Sequence, residues 1–244
     1  MRKKVNIILI IICVMGLLIS IKDVIKWLNE SRKTIKMNNV LQDLIKTNDI
    51  DTNIDFKQLK EINPDTKGWL KVDKTNIDFT FIGTSDNEFY LSRSFDKFVN
   101  DAGWFFLDYC NDINNLSRNT ILYAHGRLDG TMFGSLRKVL NYFDEYQITI
   151  ETENEILYFE IFSTYKIPTT NDYIKVNFNS DDDFINWANM IKNRSKYDYK
   201  VSITKDDKIL TLSTCYDEKN KIVVHSKLIK KESKWFFIFF LKSL

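Results

Sequence analysis

One cysteine ends a run of alternating residues, the LTLSTC stretch that closes at Cys215. The alternation reads as a half-buried strand, with Leu210 and Leu212 on one face and Thr211, Ser213 and Cys215 on the other. A thiol at an open strand end is accessible, whereas the ordinary free cysteine is a small buried hydrophobe. Accessibility matters because the thiolate is the nucleophile, and a free thiol with a pKa near ~8.5 is mostly protonated at neutral pH. Such a group needs a basic or cationic neighbour. The chain has only two histidines, His125 and His225. His125 ends the strand-like run NTILYAH and enters the loop GRLDG, where a scaffold presents working groups. His225 sits inside KIVVHSKLI, in the register of Lys221 and Val223, which suits a strand residue. Position favours His125 as the partner of Cys215, and a cysteine activated by histidine performs nucleophilic acyl transfer.

The rest of the chain says where such chemistry would happen. Arg2, Lys3 and Lys4 precede an apolar run from Val5 to Ile21, broken only by Asn6 and Ser20. That run is about the length a membrane helix needs, ~17–25 residues. Basic residues before it favour a cytoplasmic N-terminus and an exported remainder. No small-residue cleavage site follows, so a retained anchor is expected rather than a removed signal peptide. The remaining ~220 residues fit one soluble domain and a stalk. A net charge of +2 argues against a nucleic-acid partner. Seven glycines and two prolines argue against long disordered linkers. In an oxidising compartment, either Cys110 and Cys215 pair or at least one of them is a free thiol. Two histidines and scattered cysteines lack the close pair spacings of a zinc site, so no metal is expected.

The elements that must position these groups change period near Gly68. Residues 22–46 and the segment around Phe56, Leu59 and Ile62 carry helical spacing, the second stopping at Asn63 because Pro64 disfavours helix in the residue before it. Beyond them, short strands are expected over 69–72, 76–82, 88–92, 103–107, 119–124, 147–151, 155–166, 199–204, 208–214 and 221–229. Many short strands imply a sandwich or barrel, interrupted by helices over 131–142 and 181–193. The second helix has Ser180 as its N-cap and Asp181, Asp182 and Asp183 at its positive end. Its stripe of Phe184, Trp187, Ala188 and Ile191 is expected to pack.

Together the motifs resemble a known family. TLSTC at 211–215 matches the TLxTC signature of sortases, the membrane-anchored cysteine transpeptidases of Gram-positive bacteria. INPDTKGWLKV at 62–72, TNIDF at 75–79, DNEFYL at 86–91, FLDY at 106–109, NTILYAHG and DGTMFGSL within 119–136, and VVHSKL at 223–228 resemble class B sortases. The resemblance implies a mainly β fold, an eight-stranded sortase-type barrel with N-terminal helices and a helix between two late strands. The implied layout is an anchor over 1–21, a helical stalk or cover over 22–54, the catalytic barrel over 55–230 and an apolar tail over 231–244. It implies that Cys215 attacks a carbonyl in a sorting motif, commonly after threonine, and that His125 is the acid and base. A peptidoglycan-precursor or pilin amine then resolves the thioacyl enzyme. No cofactor is implied. The implied partners are secreted proteins with a sorting motif, the acceptor amine and the membrane, with the catalytic domain outside the cell.

The sequence departs from the family in four places. Class B sortases carry an arginine just before the segment that reads IVVHSKL here, and this chain has Lys221 there. Lysine brings charge without the planar five-donor fork of arginine, so either Lys221 takes the role or Arg127 or Arg93 reaches in. The connection from Cys215 to Lys221 is short for the class. Ala124 and Gly126 flank the histidine where Gly and Asn are more usual, and Trp104 stands where a small residue is usual. Two other functions fit parts of the pattern: a papain-like cell-wall cysteine peptidase, and a non-catalytic tethered barrel that binds sorting peptides or pilins. The first places its cysteine at a helix start before the histidine, unlike this order.

Overall fold

Alternating apolar residues from Thr66 onward curl a single sheet until its first and last strands meet. The structure, a computed structural model, describes residues 2–46 and 54–234. Its strands are β1 (Thr66–Val72), β2 (Asp78–Gly83), β3 (Phe106–Leu107), β4 (Asn119–Tyr123), β5 (Gln147–Glu151), β6 (Glu155–Pro168), β7 (Ile209–Cys215) and β8 (Asn220–Ser233). They close a barrel in the order β1-β2-β3-β4-β7-β8-β6-β5, which leaves no free sheet edge. β2 with β3 and β4 with β7 pair parallel, and the other neighbours pair antiparallel. The helices are α1 (Arg2–Lys46), α2 (Phe56–Ile62), α3 (Leu136–Asn141) and α4 (Asp181–Asn193). The expected mainly β barrel is what forms.

Local chemistry explains the ends of the helices. The Asp55 side chain accepts the Lys57 and Gln58 amides at the start of α2, and Asn63 leaves the helix in extended geometry before Pro64. Ser180 Oγ accepts the Asp183 amide at 3.1 Å to open α4. Two of the three aspartates there serve charge pairing: Asp181 meets Arg118 and Lys205, and Asp183 meets Lys175.

Two cores follow. The barrel interior holds Leu70, Phe81, Leu122, Leu157, Leu210 and Leu212, all buried. Outside it, the Phe184, Trp187, Ala188 and Ile191 stripe of α4 packs on Phe162, Tyr165, Ile209 and Val223 of β6, β7 and β8. β7 is therefore buried on both faces up to Thr214, not half-buried as its alternation suggests. Thr211 and Ser213 face inward to protein, where Asn119 and Tyr173 satisfy their hydroxyls.

Three expected strands come out differently. Residues 88–92 form a 3-10 turn at Phe89–Leu91, because Asp86 Oδ1 accepts the Glu88 and Phe89 amides and competes with any ladder. Residues 199–204 alternate in exposure yet pair with no strand; Val201 and Ile203 pack against the outer core. The strand expected over 103–107 shrinks to Phe106–Leu107, since Gly103 at φ +64° and the Trp104 amide bonded to Tyr90 O shape a turn instead. The helix expected over 131–142 begins as a 3-10 turn at Phe133–Ser135 before α3.

α1 runs unbroken from the apolar segment to Lys46. Residues 5–21 are exposed, and α1 is the helix long and apolar enough to cross a membrane among the described residues. Further along, Leu41 is buried and Asn38 and Gln42 donate to Asp78 O at 3.0 and 3.1 Å, fixing the helix to β2. β8 extends to Ser233, past the expected domain end at 230. The aromatic tail over 235–241 lies outside the described residues.

Candidate active site

Parallel pairing brings the tips of two strands that are distant in sequence to one rim. β4 and β7 pair with Tyr123 opposite Ser213, and His125 and Cys215 each lie two residues further on. Thr214 Oγ1 donates to Ala124 O at 2.7 Å and ties the two tips together. The backbones touch so closely that a Cβ at Gly126 would sit 2.0 Å from Cys215 O. Only glycine allows that approach, which gives the departure from asparagine at this position a physical role. Cys215 and His125 line the same cavity of about 510 Å³.

Cys215 is exposed, and Lys221 Nζ donates to its Sγ at 3.0 Å. The short connection causes this contact. Tyr216 N donates to Asn220 O at 2.8 Å, and the Asp217 carboxylate accepts the Lys219 and Asn220 amides at 2.9 and 2.8 Å. The tight turn sets Cys215 directly opposite Lys221 in the β7–β8 ladder, so their side chains leave the same face. Arg137 braces the turn from outside, donating to Tyr216 O and lying over its ring at 4.2 Å.

The two arginines considered as substitutes are engaged elsewhere. Arg93 donates to Lys97 O at 3.1 Å and lies over Phe89. Arg127 lines the cavity but is buried on α1, donating to Trp27 O at 2.9 Å and to Ser31 Oγ at 2.7 Å. Burial pushes its guanidinium below the usual range, against the pull of Asp129, Glu30 and Asp101. Cys110 is a free thiol, as are Cys13 and Cys215, so the possible Cys110–Cys215 staple does not form.

His125 is half-buried and its Nε2 lies 2.7 Å from Leu91 O. A carbonyl only accepts, so Nε2 bears the hydrogen and Nδ1 is left to take or give a proton. Gly103 floors the ring: a Cβ there would meet His125 Cδ2 at 3.0 Å and Tyr90 O at 2.7 Å. Leu91, Gly103 and Thr214 escaped the sequence reading. The signal that existed was a glycine, in a chain with only seven, just before the atypical Trp104. Trp104 itself is buried in the core, donating to Thr80 O at 3.0 Å and meeting Phe79 edge-on.

His225 takes the other part. It is fully buried, with Nε2 2.8 Å from Tyr165 OH and Nδ1 2.8 Å from Thr211 Oγ1. Thr211 gives its own hydrogen to Asn119 Oδ1 at 2.6 Å, so it accepts from Nδ1–H, and Tyr165 donates to Nε2. The imidazole is thus neutral, and burial, with Arg194 nearby, pushes its pKa down to about 3. An unfolded chain takes up this proton near the ordinary value of ~6.5. Below that pH the unfolded state binds more protons, so folding stability falls with falling pH by up to ~1.4 kcal/mol per unit. Urea unfolding in detergent at pH 7.5 and 5.0 should show this loss. A His225→Gln chain, less stable at pH 7.5, should lose less over the same interval; an equal loss would remove His225 from the account.

Comparison with known proteins follows the same lines. A family model described as the sortase domain matches residues 70–229. The chain is 36% identical over 183 residues to Sortase B of Staphylococcus aureus (strain NCTC 8325 / PS 47), covering 72% of this chain and 75% of that protein. The crystal structure of sortase B from B. anthracis in complex with AAEK1 matches with a TM-score of 0.76 at 32% identity, covering 83% of this chain and 99% of that one. A Staphylococcus aureus sortase B–substrate complex matches with a TM-score of 0.74 at 31% identity, covering 83% and 97%.

Proposed function

The chain belongs to the sortase family, in its class B, and we propose that within this cysteine transpeptidase Cys215 is the nucleophile, His125 the acid and base, and Lys221 the cation beside the reacting carbonyl. The observation that supports the assignment is the 3.0 Å approach of Lys221 Nζ to Cys215 Sγ, on the rim shared with His125.

The steps follow from these groups. Sγ passes its proton to His125 and adds as thiolate to a backbone carbonyl in the sorting motif of a secreted protein, after threonine as in the family. The C–N bond breaks, His125 gives its proton to the departing amine, and a thioacyl enzyme remains. An incoming amine of a peptidoglycan precursor or pilin loses a proton to His125 and displaces Sγ. The ammonium of Lys221, 3.0 Å from Sγ, is the donor this reading gives to the carbonyl oxygen as it gathers negative charge in each tetrahedral species. The peptide partner draws support from the substrate complex of the Staphylococcus aureus relative. The apolar segment of α1 anchors the enzyme in the cell membrane as a single span, with the barrel on the outer side.

The layout proposed with this function is an anchor over 1–21, a helical cover from residue 22 to the end of α1 at Lys46, and a catalytic barrel from 55 to the end of β8 at Ser233. Incubating the full chain in detergent with a quenched-peptide library bearing threonine before the scissile bond, with and without added amines, tests the reaction class. An amine-dependent ligation product is expected; cleavage by water alone, unchanged by amines, would make it a peptidase.

Lys221 has its own test in the pre-steady-state acylation rate. Loss of one oxyanion donor typically costs ~10²–10³ in rate, and Lys221→Ala is expected to fall in that range. Lys221→Arg should hold or raise the rate, since guanidinium adds a second donor. Silence at Lys221→Ala would leave the oxyanion to backbone amides and end the assignment.

A further inference from the structure

The anchor helix does more than tether the barrel. His125 is seated by two loops, and α1 grips both. The first loop, between Leu91 and Gly103, supplies the carbonyl that accepts from Nε2 and the glycine floor under the ring. Lys26 Nζ meets Asp101 of that loop at 2.6 Å, and Asn100 Nδ2 donates to Thr34 Oγ1 at 3.0 Å. The second loop leaves His125 itself. Two residues on, Arg127 is buried against α1, with its guanidinium 4.5 Å over the Trp27 ring and bonded to Trp27 O and Ser31 Oγ. Ser31 Oγ in turn donates to Asp129. Burial raises the Asp129 carboxyl, but the Ser31 and Thr131 hydrogen bonds and Arg127 hold it below the usual range, so it stays an acceptor.

These contacts span gaps of 66 to 100 residues and converge on one stretch of helix. Asp23, Lys26, Trp27 and Glu30 of that stretch also line the cavity that holds Cys215 and His125. The gripping contacts begin at Lys26, five residues after the apolar run ends at Ile21, within the same unbroken helix. A buried guanidinium with a stacked indole and a hydroxyl–carboxylate pair is a rigid joint, since each partner would be left unsatisfied if the other moved.

We propose that residues 26–34 of α1 are the positioning element of His125, with Trp27, Ser31, Arg127 and Asp129 as positioning residues that act through the imidazole. The inference rests on His125 being the acid and base. It makes the anchor helix a working part of the active site. Misplacement of a catalytic group by about 1 Å can cost on the order of 10²-fold in rate, so loosening the joint should reduce kcat rather than substrate binding.

The test uses the full chain in detergent and four substitutions: Trp27→Ala, Trp27→Phe, Ser31→Ala and, as a control on the exposed side of the same helix, Ile35→Ala. With only two histidines, and His225 buried and neutral, the His125 ring can be followed by 13C-histidine NMR with no substrate present. Trp27→Ala and Ser31→Ala are expected to move the His125 resonances and to lower kcat about tenfold or more. KM on the best cleaved library peptide should change by less than about threefold. Trp27→Phe should recover most of kcat, and Ile35→Ala should change nothing. Unmoved His125 resonances in both alanine variants would overturn the proposal, as would a loss of kcat that only follows the fraction folded. If the wild-type chain cleaves no peptide, the catalytic reading fails, while the resonances still decide whether α1 seats His125.

Discussion

Cys215→Ala is expected to fold as the parent does and to lose peptide turnover by on the order of 10⁴-fold or more, the scale on which removal of a covalent nucleophile acts. Its side chain is exposed at the end of β7, so the alanine leaves no cavity in either core. The contacts that hold the rim are the Thr214–Ala124 bond and the Gly126 approach to Cys215 O, and neither uses the sulfur. Thermal melting should therefore move little. Cys110→Ser is the matched control: that thiol is also exposed, and its neighbour Asp108 accepts the Cys110 amide at 2.9 Å. Cys110→Ser should keep turnover within about twofold. Equal inactivity of the two folded variants would require a shared or paired role for the cysteines.

His125→Ala carries the second largest effect. General acid–base catalysis contributes typically ~10²–10⁴-fold, and in the proposed reaction both the departing and the incoming amine depend on it. The expected loss is in that range or above, because the same imidazole serves both half-reactions. Assaying acylation and amine capture separately should show both steps slowed. His225→Gln should instead keep its rate per folded molecule, since His225 is sealed behind Tyr165, Thr211 and Trp187 and cannot meet a substrate. An active His125→Ala beside a folded, inactive His225→Gln would reverse the assignment.

What could be read from the residues was chemistry with a local cause. Ser180 and the three aspartates after it mark the start of α4 because capping and helix-end charge act within one turn. Pro64 marks the end of α2 for a similarly local reason. Cys215 and His125 stood out because each ends a strand-like run, and the barrel pairs those two runs in parallel. Misreadings arose where a distant partner decides. Thr211 and Ser213 look like an outer face until Asn119 and His225 close on the first and Tyr173 on the second. Residues 199–204 alternate in exposure for packing, with no strand beside them. The grip of Trp27 and Ser31 on Arg127 crosses nearly a hundred positions and leaves no periodicity to find. The nearness of Lys221 to Cys215 was half legible: the short connection was visible, but the direct pairing came from the Asp217 turn.

The central claim is that Cys215 becomes acylated and an amine releases it. Its most direct test is the mass of the full chain during a single turnover with the best cleaved library peptide. The mass should rise by that of the acyl fragment, and proteolytic mapping should place the addition on the peptide containing Cys215. Adding triglycine or another accepted amine should then return the parent mass and yield one equivalent of ligated product. Cleavage of the peptide with no adduct, or an adduct that persists on a residue other than Cys215, would contradict the account.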